Sequence, residues 1–131
     1  MATGRSTLDE VWNDRTLIED IVARGVDDWI YEAEVYDIAR RTGLSDPSQL
    51  RMLAVGLIAE ALVQGLMVPG DIDGTEHRPW ECSVGDALAR IERDWLNWGS
   101  EVPMSGSVVW LDITAAGKEL GEAVLAREHG A

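Results

Sequence analysis

The sequence has no phenylalanine, a single cysteine, a single lysine and no long uninterrupted apolar run. Each shortage excludes something. Cys82 stands alone, so no intrachain disulfide can form, and a free thiol fits a reducing cytoplasm. The most apolar stretch, LRMLAVGLIAEALVQGLMV, is interrupted by Arg51, Glu60 and Gln64 and does not read as a membrane span. The opening MATGRSTLDEVW has no apolar core of the signal-peptide kind. Basic residues are few as well. Eleven Lys plus Arg face 24 Asp plus Glu, giving a net charge of −13 and a pI of about 4.3. Such a field repels phosphate backbones and anionic lipid and attracts basic partners. Because all the cations but Lys118 are Arg, the codon usage points to a GC-rich, bacterial genome.

The 131 residues, 46 % hydrophobic and 27 % charged, suit one domain with its own core. Residues 1–6 and 127–131 are expected to be loose tails. Six Trp take the place of Phe, and they are expected to anchor the core.

Helix start and stop signals divide the chain. TLDE at Thr7–Glu10 and TLIE at Thr16–Glu19 both fit a capping box, followed by a stop at Gly25. Trp29, Ile30 and Tyr31 suit a very short strand. Val35, Ile38 and Ala39 have helical spacing before Gly43. Asp46 as cap, Pro47 in the first turn and Gln49 open a helix that ends at Gly65. LMVPGDIDG reads as a strand entering a turn. Ser83 and Asp86 open a helix carrying Val84, Leu88, Ile91, Trp95 and Trp98 on one face, with a stop at Gly99. In SVVWLDIT, Val109, Leu111 and Ile113 share one face and Val108, Trp110 and Asp112 the other, before Thr114 caps a last helix.

Two stretches carry a resemblance. YDIARRTGLSDPSQLRMLAVGLIAEALVQGLMV resembles the second helix, turn, recognition helix and first wing strand of the winged helix-turn-helix superfamily, with Gly65-Leu66 at the usual step. WLDITAAGKELGEAVL is similar to the closing motif of MarR-type regulators, with Ile113 where leucine is usual. The resemblance implies a mainly α domain with a small β component, spanning 1–131 as one winged-helix-like unit. Residues 71–106 then form an insertion with an extra helix, where that fold normally has a short hairpin. In a DNA-binding member, Ser48, Gln49 and Arg51 would face the bases.

Charge and hydropathy argue against that use. A helix that reads the major groove needs polar or basic side chains on an exposed face. Here Met52 to Ala59 are apolar all round, the pattern of a buried helix. Phosphate neutralisation supplies most non-specific DNA affinity. Across residues 28–64, Arg40, Arg41 and Arg51 are outnumbered by Asp28, Glu32, Glu34, Asp37, Asp46 and Glu60. Arg40 and Arg41 are expected to pair with nearby acids.

Chemistry-bearing patterns are sparse. DIDGTEHRPWE mimics a calcium loop, but Gly74 and Glu81 fall at the wrong offsets from Asp71, so a solvated acidic loop is expected. His77 and Cys82 lack the second ligand pair of a structural zinc site. The 13 Gly are dispersed, and no phosphate-binding or nucleophile motif appears. The expectation is therefore a non-enzymatic, cytoplasmic protein with no cofactor or metal, no membrane and no nucleic acid. Its best-fitting job is that of an immunity or antitoxin-like inhibitor capturing a basic, nuclease-type toxin through Asp27, Asp28, Glu32, Glu34, Asp71, Asp73 and Glu76. The alternative is a regulator binding DNA as a dimer through Ser48, Gln49 and Arg51. Monomer and homodimer both stay open.

Overall fold

The computed structural model describes residues 14–97 and 107–130. The Thr7–Glu10 signal, Trp12, Trp98 and the stop at Gly99 lie outside them. Helix α1, Leu17–Gly25, starts where the Thr16 side chain accepts the Glu19 N–H and Glu19 returns the favour to the Thr16 N–H. After strand β1, Ile30–Tyr31, helix α2 spans Glu32–Ala39 and tightens into a single 3₁₀ turn, Arg40–Thr42. Gly43, at a φ of 87°, stops it. Helix α3, Pro47–Val63, begins with the Asp46 carboxylate accepting the Gln49 N–H, and Gly65 follows its end at a φ of 72°.

Strand β2, Met67–Asp73, turns at Gly74 into β3, Glu76–Pro79. Helix α4, Val84–Asn97, opens with Ser83 accepting the Asp86 N–H. Strand β4, Trp110–Ile113, then leads into helix α5, Ala115–Gly130. Thr114 makes that junction. Its hydroxyl donates to the Gly65 carbonyl at 2.6 Å and accepts the Gly117 N–H at 3.0 Å. Among the described residues no helix is long and apolar enough to cross a membrane.

The protein is thus mainly helical with a small antiparallel sheet in the order β1-β4-β2-β3. Ile30, Leu111 and Met67 bury the inner face of the sheet against Ile21, Val35, Ile38, Ile58 and Leu62 of the helices. Helix α4 adds Ile91 and Trp95 to that core. Helix α5 comes unusually close to its neighbours. A Cβ on Gly121 would stand 2.6 Å from the Val22 carbonyl, so only Gly allows that approach.

Four expectations need correcting. The acidic stretch expected as a loop is largely a β-hairpin, because β3 pairs its backbone with Gly70–Asp73 although its side chains show no apolar alternation. Residues 127–130 are not a loose tail. They form the last turn of α5, tied down by Arg15–Glu128 and Arg127–Glu19 pairs. Helix α3 is not buried all round either: Leu50, Ala54, Leu57, Ile58, Ala61 and Leu62 face the core, while Met52 and Val63 are 69 % and 71 % exposed. Of the four Trp described, Trp95 alone is a core residue. Trp29, Trp80 and Trp110 are half-buried.

Candidate functional site

Pairing in the sheet decides which side chains meet. Ile30 opposes Leu111, and both point into the core. Tyr31 opposes Trp110, which in turn opposes Gly70, so that row lies on the outer face. The Tyr31 and Trp110 rings are tilted, with centroids 5.0 Å apart. Gly70 contributes no side chain, and the His77 imidazole fills the gap. A Cβ on Gly70 would be 2.5 Å from His77 Cε1. His77 Nε2 lies 2.9 Å from the Trp110 carbonyl, which only accepts, so Nε2 carries the proton. Trp29 completes the row, its ring 6.5 Å from His77. Among the described residues, His77 Nδ1 and Trp80 Nε1 are buried side-chain nitrogens lacking a hydrogen-bond partner.

Beside this aromatic face lies an open hollow of about 400 Å³, lined by Val26, Asp27, Asp28, Trp29, Asp112 and Ile113. The loop between α1 and β1 supplies Asp27 and Asp28. Asp112 arrives from β4, on the same face as Trp110 because strand residues alternate. The Asp28 carboxylate accepts the Trp29 N–H at 2.8 Å and Asp112 accepts the Ile113 N–H at 3.0 Å. None of the three carboxylates forms an ion pair with a described residue.

The acids expected to bind a partner therefore separate into three groups. Asp27 and Asp28 are exposed and gain Asp112, which the sequence reading did not single out as a site residue although it placed Asp112 on the face of Trp110. Asp71, Asp73 and Glu76 are exposed on the β2–β3 hairpin but partly neutralised. Arg78 bonds Asp73 at 2.7 Å and lies 3.7 Å from Glu76, and Arg90 is 3.8 Å from Asp71. Glu32 and Glu34 leave the set. Glu34 sits in the third position of α2 and accepts the Tyr31 N–H at 3.2 Å, a capping role, and partial burial raises its pKa.

Glu32 is the clearest correction, being fully buried and unable to meet a partner. Its carboxylate accepts three successive backbone N–H groups, from Ser107, Val108 and Val109, at 3.1–3.3 Å. Burial still pushes its pKa up, because the amides offset only part of the lost hydration. It fixes the approach to β4.

A second buried acid has a similar structural job. Asp20 receives Arg15 at 3.0 Å, Arg24 at 3.1 Å and Arg41 at 3.1 Å, joining α1 to the 3₁₀ turn. Pairing with nearby acids was expected of Arg40 and Arg41; Arg41 pairs instead with this buried acid 21 positions away, and Arg40 forms no ion pair among the described residues. Of the residues considered for DNA, Ser48 and Gln49 are exposed at the start of α3 and Arg51 is half-exposed. They adjoin Met52, Gly56, Glu60 and Val63, an exposed face that adds no cation to Arg51 where a phosphate backbone requires several.

A smaller apolar hollow of about 200 Å³ lies between the end of α3, β2 and the start of α4, with Cys82 at its edge. Trp80 forms one wall and carries the Arg90 guanidinium 3.7 Å from its ring centre. No cluster of three or more His, Cys, Asp or Glu able to hold a metal ion is gathered among the described residues. No protein-family model, curated protein or solved structure matches the chain.

Proposed function

We propose that this chain is a non-enzymatic acidic binding domain that captures a basic protein. The observation that carries the reading is the pairing of a half-buried aromatic sheet face with three carboxylates, Asp27, Asp28 and Asp112, that have no cationic partner among the described residues. Aromatic anchors ringed by charge are the composition of a protein-binding surface. A net charge of −13 adds long-range attraction and fast association with a basic surface. The most concrete form is an immunity or antitoxin-like inhibitor of a nuclease-type toxin, whose substrate cleft is basic. The exposed thiol of Cys82 suits a reducing, cytoplasmic setting.

A second reading, a winged-helix regulator, draws support from the α2–turn–α3 arrangement and from β4 lying between β1 and β2. The exposed face of α3, which adds no cation to Arg51, counts against it. Fluorescence anisotropy separates the two readings. Labelled random-sequence duplex DNA is expected not to bind even at low salt. A labelled arginine-rich core histone is expected to bind, and to weaken as salt rises. Charge reversal at Asp27 and Asp28 together with Asp71, Asp73 and Glu76 should weaken the histone at least about tenfold. Salt-sensitive DNA binding, or histone binding indifferent to those reversals, would overturn the reading.

A further inference from the structure

The outer sheet face and its hollow have a more specific chemistry, and the following rests on the protein-capture reading. We propose that this face docks its partner through an arginine side chain, seated against Trp29 between Asp28 and Asp112. Three observations select that occupant. The hollow is lined by Asp27, Asp28 and Asp112, and no cation among the described residues pairs with them, so the complement it lacks is positive. Its carboxylates come from two separate segments and are not gathered into a metal-type cluster. A compact ion needs ligands converging on one point, whereas a guanidinium spreads five N–H donors over a plane. An indole, that of Trp29, lines the hollow with those acids, and Trp is the best aromatic partner for a stacked cation. Arg also covers apolar surface with its stem, which suits Val26 and Ile113 in the lining of the hollow.

A lysine ammonium would meet the charge but not the geometry. It is more strongly hydrated and donates from one point, so it cannot serve two carboxylates and a ring together. The face should therefore discriminate between two residues of equal charge.

Nuclear magnetic resonance of the full ¹⁵N-labelled chain tests this, titrated with Nα-acetyl-arginine amide, its lysine counterpart and its citrulline counterpart. Arginine amide is expected to move the Trp29 indole N–H and the Asp28 and Asp112 amides with saturating, millimolar affinity. Lysine amide should be weaker by about fivefold or more, and the uncharged citrulline amide should have no effect. Trp29→Leu and Asp112→Asn should each cost about fivefold in arginine affinity, while the hairpin variant Asp73→Asn/Glu76→Gln changes nothing. Equal response to lysine, or shifts centred on the hairpin, would sink the proposal while leaving protein capture intact. Calcium moving the same resonances where arginine amide does not would reassign the hollow to a metal ion. Failure of both arginine amide here and histone in the anisotropy assay would remove protein capture itself.

Discussion

Glu32 and Asp20 are both buried acids, held by different means. The three amides on Glu32 stabilise its carboxylate, yet burial dominates and its folded pKa lies above the unfolded value. Between those two values the folded state holds the extra proton, so this group's contribution to stability falls as pH rises. Glu32→Gln removes that dependence but turns an amide N–H₂ toward one backbone donor. Urea unfolding at pH 4, 5.5 and 7 should show the variant gaining on the wild type as pH rises. Parallel curves would sink the assignment. Glu19 and Glu128 run the other way. Hydrogen bonds from Arg127 and Arg15, respectively, hold their pKa values down, so their contribution is lost as pH falls through those values. Asp20 bonds three guanidiniums at once, and Asp20→Asn removes that charge from all three, leaving buried Arg15 with Glu128 as its acid. It should lower stability by about 3 kcal/mol, measured by the same denaturation.

At the scale of elements, the same substitution has opposite signs on two helices. Gly56 lies on the exposed stripe of α3, and a Cβ there meets nothing within 4 Å. Gly56→Ala should stabilise by roughly 1 kcal/mol, the entropy and propensity gain of an open helix site. Gly121 is where α5 presses against the Val22 carbonyl, and Gly121→Ala should cost about 2 kcal/mol by forcing the helices apart. Thermal melts of the two variants, moving in opposite directions, check both. These helices were legible because their punctuation is local: Thr16 with Glu19, Asp46 with Pro47 and Gln49, and Ser83 with Asp86 each declare a start within four residues. Strand β3 was not, since Glu76, His77, Arg78 and Pro79 carry no alternation and owe their conformation to the backbone of β2. The proposed binding face was half legible. Asp27 and Asp28 stand out as acids in a loop, but Asp112 joins them only through sheet pairing. Glu32 was misread because the amides that claim it lie 75 to 77 positions further on.

Across the whole molecule, negative charge is abundant but unevenly available. Arg78 and Arg90 answer the hairpin acids, and Arg15, Arg24 and Arg41 are engaged by Asp20, whereas no cation among the described residues answers the acids of the hollow. Neutralising them should therefore matter more than their number suggests. Asp28→Asn/Asp112→Asn is expected to weaken histone binding more than Asp71→Asn/Asp73→Asn, although each pair removes two charges; anisotropy at low salt checks this ranking. Equal losses would mean that only net charge counts.

The sheet order has a consequence for how the molecule comes into being. Strand β4 joins β1 to the β2–β3 hairpin, yet it is the last of the four along the chain. On a ribosome, β1 waits without a partner until residues 110 and 111 emerge, and Glu32 waits likewise for the amides just before them. Trp29, Tyr31 and His77 then meet Trp110 and Asp112 in one late event. A nascent chain shorter than this carries the acids but no assembled face, so the proposed recognition would be withheld until the fold behind it can close.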